Sequence, residues 1–157
     1  MKYIEMYGIG AILLFALIPI MSTPLPPNQP EDIQIKFWKS PGHAGVGYKW
    51  IFSKKSCDLE NFNRSEIQSY KCTITPIQMN LLYNTLQKYS IEKISTDSNF
   101  FAHDYDAESI EIRWGNNEVS IIQSGVKVRS SDMDSWKKIV EVFQNEKSKL
   151  KLRLGNE

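Results

Sequence analysis

Cysteine and histidine are scarce in this sequence, with two of each in 157 residues. Cys57 and Cys72 allow at most one internal bridge. No C-x-x-C and no spaced His pair accompanies them, which removes the usual zinc frames. A phosphate-binding loop is missing too. Gly42, Gly45 and Gly47 fit neither G-x-G-x-x-G nor a loop ending in G-K-[ST]. No helix follows them that would aim its N-terminus at an anion. There is no G-x-S-x-G and no other recognisable nucleophile frame. Nor is there an excess of one charge: the formal net charge is +1, against the basic face that nucleic-acid binding usually needs. Internal repeats and low-complexity tracts are absent from the central part of the chain.

What is present begins with an apolar run. Lys2 is the only early cation, and Met6 to Met21 is then almost free of polar residues. The run is short of the ~20 residues of a transmembrane helix and suits the apolar core of a secretory signal. Pro19 would break a helix near its end. Ser22 and Thr23 are small residues near a cleavage point, without an A-x-A site. A cleaved signal, a retained membrane anchor and an apolar helix of a cytosolic protein all remain open. No cysteine follows to carry a lipid. Pro24, Pro26, Pro27 and Pro30 predict a stiff, extended spacer.

The remainder, roughly 125 residues, is enough for one domain with its own core. Its hydrophobic content of 41% and aromatic content of 11% for the whole chain are not those of a disordered protein. Residues 1–23 are thus read as signal peptide or anchor, 24–32 as spacer, 33–146 as one domain and 147–157 as a basic tail. Ile33, Ile35 and Phe37 alternate with polar residues, as do Val46, Tyr48, Trp50 and Phe52, predicting a hairpin across the turn-rich stretch 40–45. A polar stretch runs from Ser53 to Ser65, and a weak third strand from Ile67 to Ile74. Thr75-Pro76 reads as an N-cap with proline at the first helical position, and Ile77, Leu81, Leu82, Leu86 and Tyr89 recur at helical spacing. Ile110, Ile112 and Trp114 alternate up to the hairpin turn Gly115-Asn116-Asn117; Val119 and Ile121 return, with Val126 and Val128 in a short extra strand. Ser131 is the expected cap of a last helix whose stripe is Met133, Trp136, Ile139, Val140 and Phe143. The order predicts an α+β fold: an antiparallel sheet of four to six strands with two helices on one face.

Several groups are candidate sites. A disulfide between Cys57 and Cys72 would close the polar loop they flank, if the domain is exported, and would contribute about 3 kcal/mol; two unpaired thiols are the alternative. Gly42, His43, Ala44 and Gly45 form a tight loop suited to turn geometry and to partner contact. Phe100 and Phe101 precede an acidic loop with Asp104 and Asp106; one aromatic is expected in the core and one partly exposed as an anchor. His103 among these carboxylates would be the centre of any metal-dependent enzyme, but no cofactor or metal is expected. Lys147, Lys149, Lys151 and Arg153 interleave with Leu150, Leu152 and Leu154, which would align the cations on one side of an extended segment, either solvated or weakly attached to an anionic surface. Asn63-Arg64-Ser65 matches the N-glycosylation pattern.

Three features together resemble the emfourin-like family of small protein inhibitors of thermolysin-type metalloproteases. They are a strand–turn–strand at Pro41-Gly42-His43-Ala44-Gly45-Val46, a helix from Leu81 to Tyr89 leading to Phe100-Phe101, and an acidic turn, Asp104 to Asp106, before the 110–121 hairpin and the helix from Trp136 to Phe143. Pro41 stands where that pattern has its first glycine, and His43 where it has an aromatic. The resemblance implies a non-catalytic domain that occupies a protease cleft. The expectation is an exported, periplasmic or secreted, binding protein, with an immunity or envelope-associated interaction protein as the alternative. Its expected partner is another protein, and a membrane only through an uncleaved N-terminal segment.

Overall fold

The computed structural model describes residues 23–40, 45–64, 66–97, 107–123 and 127–154. Nine strands and two α-helices are seen among them: β1 (Gln34–Lys39), β2 (Val46–Ser53), β3 (Cys57–Asn63), β4 (Glu66–Cys72), α1 (Pro76–Lys88), β5 (Thr96–Asp97), β6 (Glu108–Trp114), β7 (Asn117–Gln123), β8 (Lys127–Val128), α2 (Met133–Lys149) and β9 (Leu152–Leu154). Seven strands make one antiparallel sheet in the order β7-β6-β1-β2-β3-β4-β9, and β5 pairs with β8. The α+β expectation is met, with more strands than the four to six anticipated.

The surplus comes from two polar segments. The stretch expected to be a polar loop contains β3, paired along its length with β2 and β4. Its inward positions hold only Cys57 and Leu59 as buried apolar residues. Two of its outward positions are charged and matched across the sheet: Asp58 with Lys71 at 2.5 Å, and Glu60 with Lys49. Such cross-strand pairing gives a strand little hydrophobic signature. β9 lies within the expected basic tail, where Leu152 pairs with Cys72 and Arg153 with Lys71. Lys147 and Lys149 are in α2, so the alternation of the tail does not continue back through them.

Register separates two faces. Ile35 and Phe37 point the same way as Trp50, Phe52, Leu59, Ile110, Ile112, Val119 and Ile121, and all are buried. Phe143 of α2 packs on Phe37 and Phe52, with ring centroids 5.3 and 5.9 Å apart. Met79, Leu82 and Leu86 of α1 belong to the same core. The opposite face is laced with charge, as in Lys36–Glu111 at 2.9 Å and Arg113–Glu118 at 3.0 Å.

Both helices form where expected, with altered details. Thr75 makes a full capping box with Gln78, and Pro76 occupies the first turn. Ile77 and Leu81, expected in the buried stripe, are exposed; Met79 and Tyr83 take their place. The cap of α2 is Asp132, not Ser131, and its side chain does not bond the helix. That carboxylate instead accepts from the Ser95 N–H at 2.9 Å and the Ser95 hydroxyl at 2.7 Å. No helix among the described residues is long and apolar enough to cross a membrane.

The proline-rich stretch is not a free spacer. Leu25 is buried in the core. The Tyr83 hydroxyl donates to the Pro26 carbonyl at 2.6 Å, and the Gln87 amide donates to the carbonyls of Pro26 and Pro27. Further along, the Asp32 carboxylate accepts from the Gly115 N–H at 2.7 Å, and Glu31 pairs with Lys54. Prolines deprive this segment of backbone donors, and its carbonyls are met by α1 side chains instead.

Candidate functional site

Sheet topology brings together the roots of the two loops expected to contact a partner. β1 lies between β2 and β6, and its last residue, Lys39, is opposite both Tyr48 and Glu108. The β1–β2 connection and the segment leading into β6 therefore emerge from adjacent strands. Just beyond the ladder, the Ser40 N–H donates to the Ala107 carbonyl at 2.7 Å. The β3–β4 turn closes on the same end, where the Arg64 N–H donates to the Gly45 carbonyl at 2.6 Å.

Gly45 is the predicted contact residue that the structure describes. Its φ is +67°, and a Cβ built on it would lie 3.1 Å from Arg64 Cγ and 3.4 Å from Arg64 Cα. A glycine is needed here for backbone conformation and close approach, which is a structural role. Pro41, Gly42, His43, Ala44, Phe100, Phe101, His103, Asp104 and Asp106 lie outside the described residues.

Beneath this end sits a polar group that the sequence did not mark. Gln144 of α2 donates to the Tyr48 hydroxyl at 2.6 Å, and the Lys147 ammonium lies 3.5 Å from the Tyr48 ring centroid. Partial burial, and then the nearby Lys39 charge, hold the Lys147 ammonium below its usual pKa, while Glu108 acts the other way. Burial pushes the Tyr48 hydroxyl up. The position of Gln144 and Lys147 one turn apart on α2, facing an aromatic at the strand end, could be read only once the helix was docked. The group has the character of a cation–π clamp that fixes α2 to the sheet end.

Cys57 and Cys72 are direct partners across β3 and β4, with Cα atoms 5.0 Å apart, a disulfide-compatible pair. They face each other at the open ends of the β3–β4 hairpin rather than across a loop. Elsewhere, a polar hollow of about 280 Å³ lies between the C-terminal end of α1 and the start of α2, beside Lys88, Ser90, Lys93, Asp132 and Ser135. Its one carboxylate, Asp132, is already engaged by Ser95. Among the described residues, no three His, Cys, Asp or Glu side chains come together as metal ligands. No family model and no curated protein matches this chain.

Proposed function

We propose that this is an exported, non-catalytic binding protein that meets another protein with the loop end of its sheet. One observation carries the reading: the Ser40–Ala107 hydrogen bond ties the roots of the β1–β2 connection and of the segment before β6. Loops that leave adjacent strands of a rigid sheet form one contact surface. In the same reading both helices cover the inward face, supported by the Phe37–Phe143 contact and by the burial of Leu82 and Leu86 in the same core. The opposed cysteines form a disulfide and favour an oxidising compartment. The most concrete partner is a thermolysin-type metallopeptidase, which the resemblance in the turn around Gly42–Gly45, the Phe100–Phe101 pair and the Asp104–Asp106 turn suggests.

The test is inhibition of several such peptidases by the purified, oxidised protein. The proposal expects inhibition at micromolar concentration or below, weakened about tenfold or more by His43→Ala or Phe101→Ala, as interface anchors are. Full peptidase activity across the panel would remove the peptidase. Recovery of a different protein partner from native extracts, sensitive to the same two substitutions, would keep the binding surface and replace its target.

A further inference from the structure

The docked proline segment changes what an uncleaved N-terminal run would do. Prolines 24 to 30 would suggest that the domain is held away from wherever Met6–Met21 resides. Instead, Pro26 is already fastened to α1 through Tyr83 and Gln87, and Leu25 is buried. Met21 and Pro26 are only five residues apart, which spans at most about 18 Å when fully extended. Whatever holds the apolar run is therefore held close to α1.

The outward side of α1 suits such a neighbour. Ile77 is 81% exposed and Leu81 44% exposed, one helical turn apart on the same side. They are two of the few large apolar side chains exposed among the described residues. α1 carries no acidic residue and ends in Lys88; Lys93 follows shortly after, next to Glu92. The outward sheet face, by contrast, pairs its charges of both signs internally. We propose that α1 docks, through Ile77, Leu81 and the cations that follow, on the surface of the lipid bilayer that holds the chain's own apolar segment Met6–Met21. Two apolar side chains and two lysines are a weak membrane site when free. Tethering within a few residues makes the contact intramolecular, so weak affinity is enough. The loop end remains available for a partner, and the inference stands apart from the identity of that partner.

The full chain is reconstituted into vesicles of phosphatidylcholine with some phosphatidylglycerol and a trace of photoactivatable lipid. After illumination, the labelled peptides are mapped. The expected result is that α1 peptides are labelled about fivefold or more above peptides of the outward sheet face. Ile77→Ser with Leu81→Ser should bring α1 close to that background with vesicle association retained, because both side chains are exposed and their replacement spares the core. Equal labelling of the two faces would overturn the proposal, as would labelling of α1 that the double substitution leaves unchanged. Isolation of the native protein free of membranes and lacking Met1–Met21 would also overturn it. Peptidase inhibition does not depend on any of these outcomes, so the two proposals fail separately.

Discussion

At the scale of single residues, two glycines with positive φ separate conformation from crowding. Gly115 has φ +51° and nothing within 4 Å of a built Cβ, whereas Gly45 combines φ +67° with a 3.1 Å approach to Arg64. Gly115→Ala should cost about 1 kcal/mol, the strain of the left-handed region alone. Gly45→Ala should cost about 2 kcal/mol, since the Arg64 side chain, 3.1 Å away at Cγ, must also give way. Midpoints of urea unfolding for the two variants check the order, and equal losses would remove the crowding argument. Asp132 gives a prediction in pH. The backbone N–H of Ser95, then its hydroxyl, hold the Asp132 carboxyl below its usual range. A depressed carboxyl binds fewer protons in the folded state than in the unfolded one. Its contribution is therefore complete above the ordinary Asp range and is lost as pH falls through the lower folded value. Asp132→Asn should flatten that part of the acid limb of a melting-temperature profile. An unchanged profile would show that Ser95 does not tune this group.

At the scale of elements, strands with an apolar inward row were legible and those stabilised by cross-strand charge were not. Ile35 and Phe37 in β1, Trp50 and Phe52 in β2, and Ile110 and Ile112 in β6 advertise a period of two, and all six are buried. β3 hides behind Asp58, Glu60 and Asn61, whose partners Lys71, Lys49 and Gln68 are remote in sequence from any local signal. The contacts of the proline segment were hidden for a related reason. Its hold on the domain comes from Tyr83 and Gln87, about sixty residues away, while its local chemistry only says that it is extended. The loop end was legible as two loops, but their adjacency was not, because it depends on β1 lying between β2 and β6. The docked segment is itself testable. Tyr83→Phe deletes one hydrogen-bond donor and should cost about 1 kcal/mol. Leu25→Ala should cost about 2 kcal/mol by leaving a cavity under the segment. Both should speed proteolytic cutting between residues 23 and 32 ahead of cutting within the sheet. Cutting at the wild-type rate in both variants would mean that the segment is not held by these contacts.

At the scale of the whole molecule, the cysteine pair links the β3–β4 hairpin to the compartment in which the protein works. Cys57 is fully buried and Cys72 nearly so, at the end of the hairpin opposite the loop surface. A bond there closes a segment of 15 residues in the unfolded chain. By the chain-entropy estimate that is worth about 3 kcal/mol. For a domain of this size the loss corresponds to a fall in Tm of about 10 °C. The sheet order makes the effect asymmetric. β4 is held by β3 along its whole length but by β9 over only three residue pairs, so the hairpin and β9 form the less supported side of the sheet. The replacement of both cysteines by Ala should thus raise hydrogen exchange first in β3, β4 and β9 and leave β1 and β6 near their original protection. The loop surface rests mainly on β1, β2 and β6, with the Arg64–Gly45 hydrogen bond as its tie to the β3–β4 turn, so the variant should keep most of its partner affinity at low temperature and lose it on warming, in step with the lower Tm. Alkylation of the unfolded, unreduced wild-type protein decides the premise. Two modified thiols, together with an unshifted Tm in the double variant, would show that the pair packs as thiols and that the fold stands without the bond.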